Sequence, residues 1–160
     1  MKSINDLCFV IAGGTPQTRN ADYWNGNLPW ISIKDFPTNT RYISTTEKTI
    51  TEAGLKRSVC NMLKPGDIII SARGTVGKLR LVKKPMAFNQ SCFGLRSKDP
   101  NLLNQHFLFY WLSSHINEIQ TGTHGAVFDT ITRSDFDRIG MVVPPMPVQQ
   151  HIVGVTSSPQ

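Results

Sequence analysis

Cysteine is scarce in this 160-residue sequence: Cys8, Cys60 and Cys92 stand far apart, and their number is odd. That argues against a disulfide framework and fits small buried hydrophobes in a reducing cytoplasm. Long apolar runs are missing too. None approaches the ~20 residues of a spanning helix, and residues 7–12 are cut short by Gly13-Gly14 before they could form a signal-peptide core. A secreted or membrane protein is not expected. Phosphate-loop spacing is also lacking: Gly74-Thr75-Val76-Gly77-Lys78 is followed by Leu79 where a Mg²⁺-binding hydroxyl would stand. No G-x-G-x-x-G follows a strand, so a dinucleotide or methyl-donor fold is unsupported. Pro144-Pro145 lies between Val143 and Met146, without the polar residue a DNA amino-methyltransferase would need there. No Asp-x-Lys or Glu-x-Lys follows Asp67, as a carboxylate nuclease would require. His106 and His115 fall on opposite sides of the helix expected there and cannot share a metal. No catalytic centre, cofactor or metal is therefore expected.

Acidic residues are few, and in one third of the chain they almost vanish. The whole sequence carries 17 basic and 11 acidic side chains, net +6. Residues 56–98 hold ten of the basic ones (Lys56, Arg57, Lys64, Arg73, Lys78, Arg80, Lys83, Lys84, Arg96 and Lys98) against Asp67 alone. The first 55 residues are neutral and the last 62 are acidic. A basic run can be a solvated surface with no partner. This one spans expected strands and turns, and a stable basic face attracts polyphosphate through counterion release.

The hydrophobic pattern indicates an α+β fold: a strongly twisted mixed or antiparallel sheet, one long packed helix, and the start of a further helix. Residues 17–27 read as a polar loop, and 28–33 alternate like a half-buried strand. A weak helical pattern covers 46–58. The continuous β-branched run Ile68-Ile69-Ile70 predicts a central strand covered on both faces. Residues 79–82 and 86–95 read as two more strands. Asp99 with Pro100 predicts the start of a helix running to about Gln120, with Leu108, Leu112 and Ile119 on its buried side. Residues 139–143 read as a last strand and 148–155 as the opening of another helix. Trp24, Trp30 and Trp111 read as core residues.

Three segments together carry a resemblance. The first is Gly14-Thr15-Pro16 with Tyr23-Trp24 and Leu28-Pro29-Trp30-Ile31-Ser32-Ile33-Lys34-Asp35-Phe36. The second is Lys64-Pro65-Gly66-Asp67-Ile68-Ile69-Ile70-Ser71, then Arg73-Gly74-Thr75-Val76-Gly77 and Asn89-Gln90-Ser91. The third is the strand at 139–143 with Pro144-Pro145-Met146-Pro147-Val148-Gln149-Gln150. In this order and spacing they resemble a target recognition domain of the specificity subunit of type I restriction–modification enzymes. The resemblance implies a non-catalytic module that reads one half of a split DNA target. It also implies methyltransferase (M) subunits and a restriction (R) subunit as partners, which methylate adenine and cleave DNA. Residues 1–146 would be the recognition domain. Residues 147–160 would begin the spacer helix, cut short here, through which two copies could pair. The alternative is an interaction module that has lost DNA reading and only joins methyltransferase or specificity chains.

Phosphate contacts would position such a domain and base-edge contacts would specify the target. Lys56, Lys64, Lys83, Lys84 and Lys98 are candidates for the first role. Arg73 and Thr75, in the glycine turn, and Lys78 and Arg80 after it are candidates for contact with the duplex, Arg73 with a guanine edge. Asn89 and Gln90 either pair with adenine edges or tie down their own loop through backbone hydrogen bonds, the latter reading being favoured. The polar loops at 17–27, 38–42 and 121–129 are the expected seats of specificity, with Thr123 and His124 at the tip of the last.

Overall fold

In the computed structural model, residues 1–121 and 129–156 are described. Among these residues three sheets form in place of the single one expected. The smallest joins β1 (Lys2–Ser3), which leads into the short helix α1 (Ile4–Leu7), to β11 (Gly140–Met141). A five-stranded sheet runs in the order β2 (Cys8–Ala12), β10 (Cys92–Ser97), β7 (Ile68–Ser71), β8 (Leu79–Val82), β4 (Tyr42–Ile43). A four-stranded sheet runs β5 (Lys48–Ile50), β3 (Trp24–Ile31), β9 (Met86–Phe88), β6 (Met62–Leu63).

The isoleucine run of β7 explains how these layers stack. Ile68 and Ile70 face a core built with helices α3 (Gln105–Ser114) and α4 (Ile116–Thr121), while Ile69 faces Ile31, Leu63 and Phe88 of the other sheet. All three isoleucines are fully buried. Both neighbours of β7 are antiparallel. The unbroken apolar run therefore follows from cover on both faces, not from parallel pairing.

Several expected elements are divided. Residues 46–58 split into β5 and a short helix α2 (Glu52–Lys56), whose cap Thr51 accepts the Gly54 amide. Residues 86–95 split at Asn89, because β9 and β10 belong to different sheets. The polar loop ends early, at Trp24, where β3 begins. The long helix starts at Asn104, not Asp99: the Asn104 side chain accepts the amides of His106 and Phe107, while Asp99 closes only a turn. It also breaks at His115, where the Ser113 and Ser114 hydroxyls bond back to the Phe109 and Trp111 carbonyls.

Helix α5 (Met146–Thr156) docks on the start of α3 through Gln149, which is fully buried. Its Oε1 accepts the Asn104 amide at 2.8 Å, and its Nε2 donates to the carbonyls of Leu102 and Pro144, both at 2.8 Å. At the exposed edge strand β2, Arg133 donates to the Val10 carbonyl and Asn61 to that of Ala12, which shields the edge from further strand addition. All three cysteines are buried and free; burial pushes the Cys8 and Cys92 thiols up to about 12.

Candidate nucleic-acid interface

Because β7 and β8 are antiparallel, Ser71 and Leu79 lie at one end of the sheet, and residues 72–78 turn there. The turn needs glycine at two places: Gly74 has φ +71° and Gly77 has φ +93°, both left-handed. Backbone hydrogen bonds fix its root. The Gly77 amide donates to the Ser71 carbonyl at 2.9 Å, the Gly74 amide to Asp129 at 2.9 Å, and the Ile131 amide to Ala72 at 2.7 Å. From α4, Gln120 Nε2 donates to the Val76 carbonyl at 2.9 Å. The exposed side chains of Arg73, Thr75 and Lys78 make no hydrogen bond or ion pair among the described residues.

The turn at 89–91 meets the same end, since the Ala72 amide donates to the Ser91 carbonyl at 2.8 Å. Asn89 Oδ1 accepts the Ser91 amide at 3.1 Å, the loop-tying arrangement favoured for that residue. Gln90 is exposed, and its side-chain Oε1 accepts the Thr15 hydroxyl. The loop before β4 arrives there too, because β4 runs parallel to β8 and Tyr42 pairs with Leu81.

Arg80 is half-buried and each of its guanidinium nitrogens is engaged: Nε donates to the Pro37 carbonyl at 2.8 Å, Nη2 donates to the same oxygen, and Nη1 donates to the Leu79 carbonyl at 2.6 Å. Burial holds its pKa below the ordinary arginine value. An open concavity here is lined by Thr38, Asn39, Thr40, Arg41, Lys78 and Arg80 on one side and Phe109, Ser113 and Ile116 on the other. Arg41 was not singled out from sequence. Its guanidinium lies 5.4 Å from the ring centroids of both Tyr42 and Tyr110. The polar loop at 38–42 pointed to it, but its place in the electrically neutral third of the chain hid it.

Arg73, Thr75, Lys78, Arg80, Asn89 and Gln90 thus converge. Lys83 and Lys84 do not: they follow the far end of β8, roughly 13 Å of strand away. There Gly66 and Asp67 pair with Val82, and the Lys83 ammonium sits 4.8 Å from the Tyr42 ring centroid. Thr123 and His124 lie outside the described residues. The basic stretch is also less free than its sequence suggests. Arg96 makes two hydrogen bonds to Asp67, at 2.8 and 2.6 Å, which hold its pKa above the usual value, and Lys98 donates to the Asn5 carbonyl at 3.1 Å. Trp30 is buried, whereas Trp24 and Trp111 are half-buried. Among the described residues, no three of His, Cys, Asp and Glu gather as a metal site would require, and no helix is long and apolar enough to cross a membrane.

Residues 1–157 match the type I restriction modification DNA specificity domain. The chain is 28% identical over 98% of its length to the type I restriction enzyme MjaIX specificity subunit of Methanocaldococcus jannaschii, covering 37% of that protein. It is 24% identical over 90% of its length to the HindI specificity subunit of Haemophilus influenzae, covering 31% of it. Among solved structures, the HsdS subunit from Thermoanaerobacter tengcongensis superposes with a TM-score of 0.72 at 21% identity, over 96% of this chain and 35% of that one. The type I restriction–modification S subunit from M. genitalium gives 0.66 at 19% identity, over 98% and 37%. The chain therefore spans less than two fifths of the length of these relatives, and the structural likeness concerns the fold. With a match that takes in nearly every residue, the chain belongs to the type I restriction–modification DNA specificity domain family.

Proposed function

We propose that this chain reads one half of a split DNA target as the specificity component of a type I restriction–modification system. It is non-catalytic in this reading and acts in the cytoplasm. Partner methyltransferase and restriction subunits carry out adenine methylation and cleavage. The observation that carries the reading is the family match over residues 1–157. The convergence of exposed polar and cationic loops supports it, with Arg73, Thr75, Lys78 and Gln90 facing the duplex; Thr123 and His124, outside the described residues, keep the DNA contact expected of them from sequence. Asn89 shapes its loop from within. Lys83 and Lys84 contact phosphates beside the groove, because a strand's length separates them from the loop tips. Residues 1–146 form the reading domain and 147–160 open the spacer helix. Exposed Val148 and Val155 on α5, 45% and 64% accessible, support pairing with a second copy through that helix.

The test is selection from a randomised duplex library at two salt concentrations, followed by sequencing of the retained fraction. An enriched short motif, or one half of a split site, is the expected result. Steeply salt-dependent binding without enrichment would show a phosphate-only contact. No binding at low salt would overturn the DNA reading in favour of a module that only joins other subunits.

A further inference from the structure

We infer that Arg80 is a positioning residue: its guanidinium sets the shape of the 38–41 loop, and that loop is a specificity-determining element of the reading end. The inference rests on the DNA-reading proposal above. Arg80 lies in mid-strand on β8, beside rather than within the loop it holds. Two of its nitrogens donate to the Pro37 carbonyl and a third to the Leu79 carbonyl, and its guanidinium carbon lies 5.8 Å from the Phe36 ring centroid. At its other end, the loop rejoins the sheet where the Leu81 amide donates to the Arg41 carbonyl at 2.7 Å. Residues 38–41 are therefore tethered to adjacent positions of one strand, at one end by a side chain and at the other by the main chain.

The chemistry of the tether separates Arg80 from a base-reading arginine. Recognition of a guanine edge uses two parallel donors of the fork. Here all three guanidinium nitrogens already donate to protein carbonyls, which leaves a base edge only the second hydrogens of Nη1 and Nη2, and no carboxylate neutralises the group among the described residues. Arg80 thus adds positive field to the concavity while leaving direct contact to Thr38, Asn39 and Arg41, which line it. Lysine at this position keeps the charge. It has one nitrogen where Arg80 brings two to the Pro37 carbonyl.

The experiment compares wild type, Arg80→Lys and Arg80→Gln by library selection, by the salt dependence of binding, and by hydrogen exchange of the free proteins. Arg80→Lys is expected to keep the salt slope, while discrimination between the wild-type motif and scrambled duplex falls by about 10-fold. Exchange is expected to quicken within residues 38–41 and nowhere else. Arg80→Gln should show the same loss with a flatter slope. Unchanged exchange in 38–41 for Arg80→Lys would overturn the tether, whether or not DNA is bound. Faster exchange with an unchanged motif and unchanged discrimination would overturn the loop's part in specificity. Faster exchange throughout the domain would reduce Arg80 to a general stabiliser. If wild type itself binds no DNA, the reading proposal fails, and the exchange experiment still decides whether Arg80 shapes the loop.

Discussion

Replacing Gln149 by leucine is expected to loosen α5 from the rest of the protein at a cost that follows from its contacts. The side chain is fully buried and makes three hydrogen bonds to main-chain groups: the Asn104 amide and the carbonyls of Leu102 and Pro144. Leucine fills a similar volume but answers none of them. A buried polar group left without a partner costs about 1–3 kcal/mol; because the three partner groups are only part-buried and water can answer some of them, the loss expected for all three together is about 1–3 kcal/mol. Against a domain stability of roughly 5–15 kcal/mol, that is a large fraction. Urea unfolding followed by tryptophan fluorescence measures it, with the exposed neighbour Gln150→Leu as the control, expected within about 0.5 kcal/mol of wild type. A loss below about 1 kcal/mol for Gln149→Leu would refute the reasoning, since water would then be replacing Gln149 at all three main-chain groups.

Gly77→Ala should destabilise more than Gly74→Ala. Both positions are left-handed, but a Cβ at 77 would meet Ile116 and Gln120 at 3.0–3.1 Å, while that at 74 meets open space, and thermal unfolding ranks them. Changing Lys83 and Lys84 together to alanine should weaken binding equally for all sequences and flatten the salt slope by up to about 1.8. An unchanged slope would remove them from the interface. Arg73→Ala should cost on the order of 1–3 kcal/mol on the selected half-site only; an equal loss on scrambled DNA would make it a phosphate contact. The Asp6 carboxyl, held below the usual range by the Ser3 amide and then the Ser3 hydroxyl, should titrate partway back toward 3.8 in Ser3→Ala. Its contribution to stability is present above its ordinary pKa and fades as pH falls through the lowered one, which NMR titration follows.

Much of the scaffold was legible because local pattern and burial agree. The isoleucines of β7, the alternation in β8 and the proline-led start of α5 each carry their own signal. The helix start was not, for a reason that distance explains. Asp99 and Asn104 are both good caps, and the choice is reinforced from 45 residues away, where Gln149 accepts the Asn104 amide. The break at Asn89 was hidden likewise, because nothing local says that 86–88 and 92–97 join different sheets. In the candidate site, composition located the glycine turn but not the role of Arg80. A positive side chain reads the same in sequence whether its donors face solvent or the Pro37 carbonyl.

The main-chain bonds at the roots of the loops bear on how this domain can change. Ser71 to Gly77, Asp129 to Gly74, Ser91 to Ala72 and Arg41 to Leu81 are each joined through peptide groups. A substitution at Arg73, Thr75, Gln90, Thr38 or Asn39 leaves every one of those joints in place. New side chains can therefore be tried at the tips with little penalty to folding, and under the proposed DNA-reading role a change of preferred sequence need not wait for a compensating change in the core. The domain is built as a holder with exchangeable points.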